Sequence, residues 1–227
     1  GFLQNQDQVG NRAFGERVTT LASAEAVRPA TAVLLLAPSL PVVFMGQGWA
    51  AREAFLFCSD LGPDLGPRVS EGRRQEFARF PAFVSPETRR RIPDPQAPES
   101  RERSALDWSW AGEALHQEWV AFHRSLLRLR EREIAPLMAG ETAPEVDSRL
   151  LGETGLEIVW IFSSARVLRL VANLGANAVM HEGPEGSWGR RLYALGLAAS
   201  GWAALPPWSV GWFLSETEHP VRAKHQR

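Results

Sequence analysis

The hydrophobic pattern of this chain changes period once, and that change dictates a two-part molecule. Up to about Glu133, apolar residues recur at helical spacing between Pro-rich loops; after Glu145 they fall in short runs separated by turn residues. The clearest helix covers residues 112–132, where Leu115, Trp119, Phe122, Leu126 and Leu129 recur at steps of four and three and so share one face. His116 and His123 lie on the same helix, two turns or about 10.5 Å apart, too far for both to bind one metal ion directly. Packing or solvent exposure accounts for them better. Upstream, residues 24–37 read as a helix that Pro29 kinks or restarts and that Pro38 and Pro41 stop. The run Pro41-Val42-Val43-Phe44-Met45, bounded by Pro and Gly46, reads as a buried strand, and helix followed by buried strand is the alternation of a parallel sheet.

Residues 60–100 carry Pro63, Pro67, Pro81, Pro86, Pro93, Pro95 and Pro98, which leave room only for short elements such as a basic helix over 70–80. Arg89-Arg90-Arg91 reads as solvated surface. After Pro136, residues 146–151, 156–162, 167–172, 191–195 and 208–214 are candidate strands at spacings that suit a small antiparallel β-domain. The fold class expected is therefore α/β followed by all-β, with residues 1–135 in the first part and 136–227 in the second.

Composition removes several function classes. Lys+Arg 25 against Asp+Glu 26 leaves a net charge of -1, with no basic field to hold nucleic acid. No apolar run approaches the roughly 18 residues of a membrane-spanning helix, and no basic leader with an apolar core opens the chain, so a cytoplasmic setting is expected. The single Cys58 can form neither an internal disulfide nor a multi-thiolate zinc site. Nine Trp suit either a core or a platform for sugar rings.

Three motifs fail on chemistry. Gly46-Gln47-Gly48-Trp49-Ala50-Ala51 matches the dinucleotide pattern G-x-G-x-x-A, but the bulky Trp49 sits inside the turn and no second βαβ unit follows. His181-Glu182-Gly183 lacks the second imidazole of a zinc-protease helix. Ser163 and Ser164 have no nucleophile elbow around them. The cluster Gln4-Asn5-Gln6-Asp7-Gln8 is more informative. Its amides offer both donors and acceptors, as sugar hydroxyls do, and its one carboxylate can face a developing positive charge. The apolar Gly1-Phe2-Leu3 before it reads as the end of a buried strand, where a parallel barrel places its active site. A polar loop with an Asx-turn reads equally well from composition.

The stretch Gln4-Asn5-Gln6-Asp7-Gln8-Val9-Gly10-Asn11-Arg12-Ala13 resembles the fourth signature region of α-amylase-type glycoside hydrolases, and within them the malto-oligosyltrehalose trehalohydrolase branch. Val43-Phe44-Met45-Gly46-Gln47-Gly48-Trp49 resembles the segment after barrel strand eight. Glu71-Gly72-Arg73-Arg74-Gln75-Glu76-Phe77, Ser104-Ala105-Leu106-Asp107-Trp108 and Leu205-Pro206-Pro207-Trp208-Ser209-Val210 resemble later segments, in order.

The resemblance implies strands seven and eight of a (β/α)8 barrel with their helices, then a β-sandwich. It implies retaining hydrolysis of the α-1,4 bond next to the terminal trehalose of malto-oligosyltrehalose, with no cofactor and no metal. Asp7 would be the third acidic residue, the transition-state stabiliser; Asn5, Gln6, Gln8, Asn11, Arg12 and Trp49 would contact the α-1,4-glucan. Gln6 stands where the family has His, and Gly48 where an acidic residue is usual. The nucleophile and acid/base carboxylates come from barrel strands four and five, which fall before residue 1. The chain is thus expected to be the C-terminal part of a longer enzyme, inactive alone. It is also expected to be poorly soluble, since Val42, Phe44 and the helix over 30–36 would lose their barrel partners. The rival reading is a non-catalytic carbohydrate-binding or scaffold module, supported by the Trp content.

Overall fold

The computed structural model describes residues 1–140, 143–181, 188–198 and 203–216. Every described helix ends before residue 139 and every described strand begins after residue 144. The helices are α1 (Gln6–Gly10), α2 (Val18–Leu21), α3 (Ala24–Leu36), α4 (Gly66–Glu76), α5 (Pro86–Arg90), α6 (Pro98–Glu102), α7 (Ala114–Leu129) and α8 (Ala135–Met138). The strands are β1 (Glu145–Leu151), β2 (Gly155–Ile161), β3 (Arg166–Asn173), β4 (Val179–Met180), β5 (Arg190–Leu195), β6 (Ala204–Leu205) and β7 (Ser209–Glu216). They divide into two compact units. One unites Ser23–Pro41 with the described residues from Phe122 onward; the other unites Phe2–Ala22 with Val42–Ala121.

In the first unit a five-stranded antiparallel sheet runs in the order β1-β2-β3-β7-β5, beside a two-stranded sheet of β4 and β6. The inner strands β3 and β7 are buried on both faces and read as near-continuous apolar runs, whereas the edge strand β1 is exposed along most of its length. Leu170 of β3 stands opposite Trp212 of β7, and α3 packs against β7. On the other face Leu151, Val171, Trp188, Leu205 and Phe213 close a core cluster. The five long strands lie where the apolar runs predict; the two-residue strands β4 and β6 leave no such pattern.

Helix α3 starts on Ser23, whose Oγ accepts from the Ala26 N–H at 3.3 Å, and continues through Pro29. Its last turn is closed by Arg130, which donates to the carbonyls of Leu35 at 3.0 Å, Ala37 at 2.6 Å and Ser39 at 2.6 Å. Leu34, Leu35 and Leu36 are buried, so this helix is not the exposed apolar face that the sequence led us to expect. Helix α7 stops at Leu129 and widens into a π turn over Arg130–Ile134. Pro136 has no N–H to return to the Arg132 carbonyl, which favours that wider turn. The buried stripe of α7 carries His116, Trp119, His123 and Leu126, while Leu115 is exposed. The stripe is therefore turned one residue from the expected apolar face and takes in both histidines.

Two further expectations are corrected. Residues 41–45 form no strand. No neighbouring strand flanks them among the described residues, so they have no ladder, and Val42, Val43 and Met45 are 54%, 41% and 44% exposed. Likewise residues 1–3 are coil, with Phe2 exposed, rather than the end of a buried strand. Of the arginine run, Arg90 and Arg91 are exposed as expected, but Arg89 donates to the carbonyls of Phe83 and Val84.

Candidate functional site

The amide cluster divides by role once folded. Gln4 is buried, and its Oε1 accepts from the Val18 N–H at 2.9 Å. Asn5 caps α1, its Oδ1 accepting from the Gln8 N–H at 2.8 Å. Gln6, Asp7 and Gln8 are exposed on the helix that follows. Asn11 ends it, donating its N–H to the Asp7 carbonyl at 3.0 Å. The turn beyond is held from outside: Arg73, 8% exposed, donates to the Gly10 carbonyl at 3.0 Å and to that of Arg12 at 2.8 Å. Burial lowers the Arg73 pKa against the raising effect of Glu76. Gly15 closes the turn at φ 63°, where a Cβ would sit 2.4 Å from the Phe55 carbonyl oxygen.

Asp7, Gln8, Asn11, Arg12 and Glu16, together with Phe77, Phe80 and Phe83, line a groove of about 610 Å³. Arg12 Nε lies 3.2 Å from Glu16 Oε2. The aromatic part of the lining is self-supporting: Phe77 stands 5.8 Å from Phe80 and 5.4 Å from Phe83 between ring centroids. A ligand with hydroxyls on its edge and C–H groups on its faces matches such a groove, whose lining combines hydrogen-bonding side chains with aromatic rings. Sequence reading missed these three phenylalanines. Their spacing of three within the Pro-rich stretch is the only local signal.

Trp49, Asn5 and Gln6 are not among the residues that line this groove. Trp49 closes a single 3-10 turn, Gln47–Trp49, which no helix follows, so the G-x-G-x-x-A match builds no phosphate cradle. The turn is fixed by Arg17, 1% exposed, which donates to the carbonyls of Met45 and Glu53, each at 2.6 Å. Burial pushes the Arg17 pKa down, opposed by Glu53. His116 Nδ1 lies 2.5 Å from the Trp49 carbonyl oxygen, and the Trp49 ring packs on Trp108 at 4.6 Å. Among the described residues no group of three His, Cys, Asp or Glu side chains is placed to hold a metal ion. Of the triplet at 181–183, His181 is buried beside Glu157; Glu182 and Gly183 lie outside the described residues.

The family described as Domain of unknown function (DUF3459) matches residues 145–212. The chain is 39% identical over 131 residues to the malto-oligosyltrehalose trehalohydrolase of Deinococcus radiodurans, covering 58% of this chain and 21% of that protein. It is 33% identical over 176 residues to the trehalohydrolase of Mycobacterium tuberculosis, covering 77% of this chain and 28% of that one. A crystal structure of a candidate α-amylase from Salmonella typhimurium superposes with a TM-score of 0.82 at 34% identity over 95% of this chain. Along most of its length the chain is similar to malto-oligosyltrehalose trehalohydrolase and to an α-amylase-type structure. It spans 35% of that Salmonella α-amylase-type chain. Isomaltulose synthase of Protaminobacter rubrum, at 12% identity and a TM-score of 0.57, shares the α-amylase-type fold alone.

Proposed function

We propose that this chain is the C-terminal part of a trehalose-releasing α-glucan hydrolase, with residues 1–135 completing a (β/α)8 barrel and 136–227 forming its β-domain. The observation that carries this reading is Asp7, which lines a groove together with hydrogen-bonding side chains and three phenylalanines, in a chain 33–39% identical to trehalohydrolases. In the proposed reaction, a carboxylate nucleophile attacks the anomeric carbon and a carboxylic acid protonates the leaving oxygen. Water then releases the glycosyl group with retained configuration. The nucleophile Asp and the acid/base Glu belong to polypeptide upstream of these residues. Asp7 faces the oxocarbenium-like transition state and helps distort the ring bound at the cleavage point. Gln8, Asn11 and Arg12 hydrogen-bond the α-1,4-glucan from the same groove, with Asn5, Gln6 and Trp49 as further contacts. The cytoplasm is the proposed location; no described helix is long and apolar enough to cross a membrane.

Product analysis tests this. Expressed as the continuation of its upstream reading frame, the chain should release trehalose and the α-anomer of the shortened oligosaccharide from malto-oligosyltrehalose, as followed by proton NMR. The 227 residues alone should release neither. Release of maltose or glucose instead would assign another α-glucan substrate. The second reading, a non-catalytic carbohydrate-binding module, draws on the exposed Trp108 and predicts binding without turnover in both forms.

A further inference from the structure

We propose that Trp108, packed at a tilt against Trp49, forms a platform on which a glucose unit of an α-1,4-glucan chain binds; the proposal rests on the α-glucan reading above. Trp108 is 66% exposed, which leaves a large apolar ring in water. It is not a loose surface side chain. Its ring lies 4.6 Å from that of Trp49 at an interplanar angle of 42°, and the segments bearing both are tied down. Asp107 accepts from the Ser109 N–H through Oδ1 at 2.9 Å, setting the turn Trp108–Gly112. The Asp107 N–H donates to Glu53 Oε1 at 3.3 Å. The Glu53 carbonyl is gripped in turn by the buried Arg17, and His116 holds the Trp49 carbonyl.

A ring fixed in this way binds with little loss of side-chain freedom. The indole face meets the C–H face of a pyranose, and exposed Asp107 and Ser109, its neighbours in sequence, offer partners to hydroxyl groups. A protein partner would need about 800 Å² on each side, which one indole set among these polar residues does not supply.

The test is isothermal titration of the 227-residue chain with maltoheptaose. Saturable binding is expected, weakened about tenfold in Trp108→Ala and largely restored in Trp108→Phe. Unchanged melting temperatures show that the variants fold, and restoration by Phe separates ring stacking from a structural role. Equal affinity in Trp108→Ala, or no binding by the parent chain, overturns the platform. So does self-association that disappears in Trp108→Ala, which would assign the surface to a second copy. None of these outcomes bears on trehalose release by the extended protein, so the platform and the hydrolase reading fail separately.

Discussion

At the scale of single residues, two positions carry the local geometry of the proposed site. Arg17 spends its guanidinium on the carbonyls of Met45 and Glu53, two ends of the loop that presents Gln47 and Trp49. Arg17→Ala should therefore destabilise the protein by about 2–3 kcal/mol, measured by urea unfolding; a loss below the error of that measurement would show that the loop holds itself. Gly15 has a positive φ and no space for a Cβ beside the Phe55 backbone. Gly15→Ala should cost at least about 1–2 kcal/mol, read from the same curves. Neither role is visible in the sequence. Asp7 stands out there because one carboxylate lies among amides, but the burial of Gln4 depends on Val18, fourteen positions away, and that of Arg17 on a loop some thirty positions on. Tertiary partners at such separations leave no local pattern.

At the scale of elements, the strands were legible wherever alternation or an apolar run extended over six residues or more. The run at 41–45 has the same composition but no ladder, because a strand is defined by its neighbour as much as by its own residues. Within the sheet, Trp212 is fully buried and stacks on Trp160 at 5.6 Å. Trp212→Ala should cost about 3–5 kcal/mol, seen as a fall in melting temperature. Glu157, on β2, is 4% exposed. Burial pushes its carboxyl pKa up, but hydrogen bonds and charge from Arg149 and Arg169 outweigh burial and hold it below the ordinary value of 4.5. A depressed folded-state pKa stabilises above the unfolded value and is lost as pH falls through the folded one. Stability should thus decline as pH drops below about 4.5, the ordinary glutamate range, and Glu157→Gln should flatten that decline. An equally steep decline in the variant would remove Glu157 as a contributor.

At the scale of the whole molecule, the chain covers between a fifth and about a third of the proteins it resembles and exposes Leu40, Val42, Val43 and Leu150 to solvent. Light scattering of the 227-residue chain should show concentration-dependent association, and a stable monomer would contradict it. The family was legible because its motifs recur in order along the chain. The groove was not, since its aromatic rings come from residues about seventy positions beyond Asp7. The charge of Asp7 is central to the proposed hydrolysis, and turnover of malto-oligosyltrehalose by Asp7→Asn in the extended protein tests that role most directly. A fall in kcat of about 10²–10³-fold with substrate affinity largely kept is the predicted result; an unchanged kcat would contradict it.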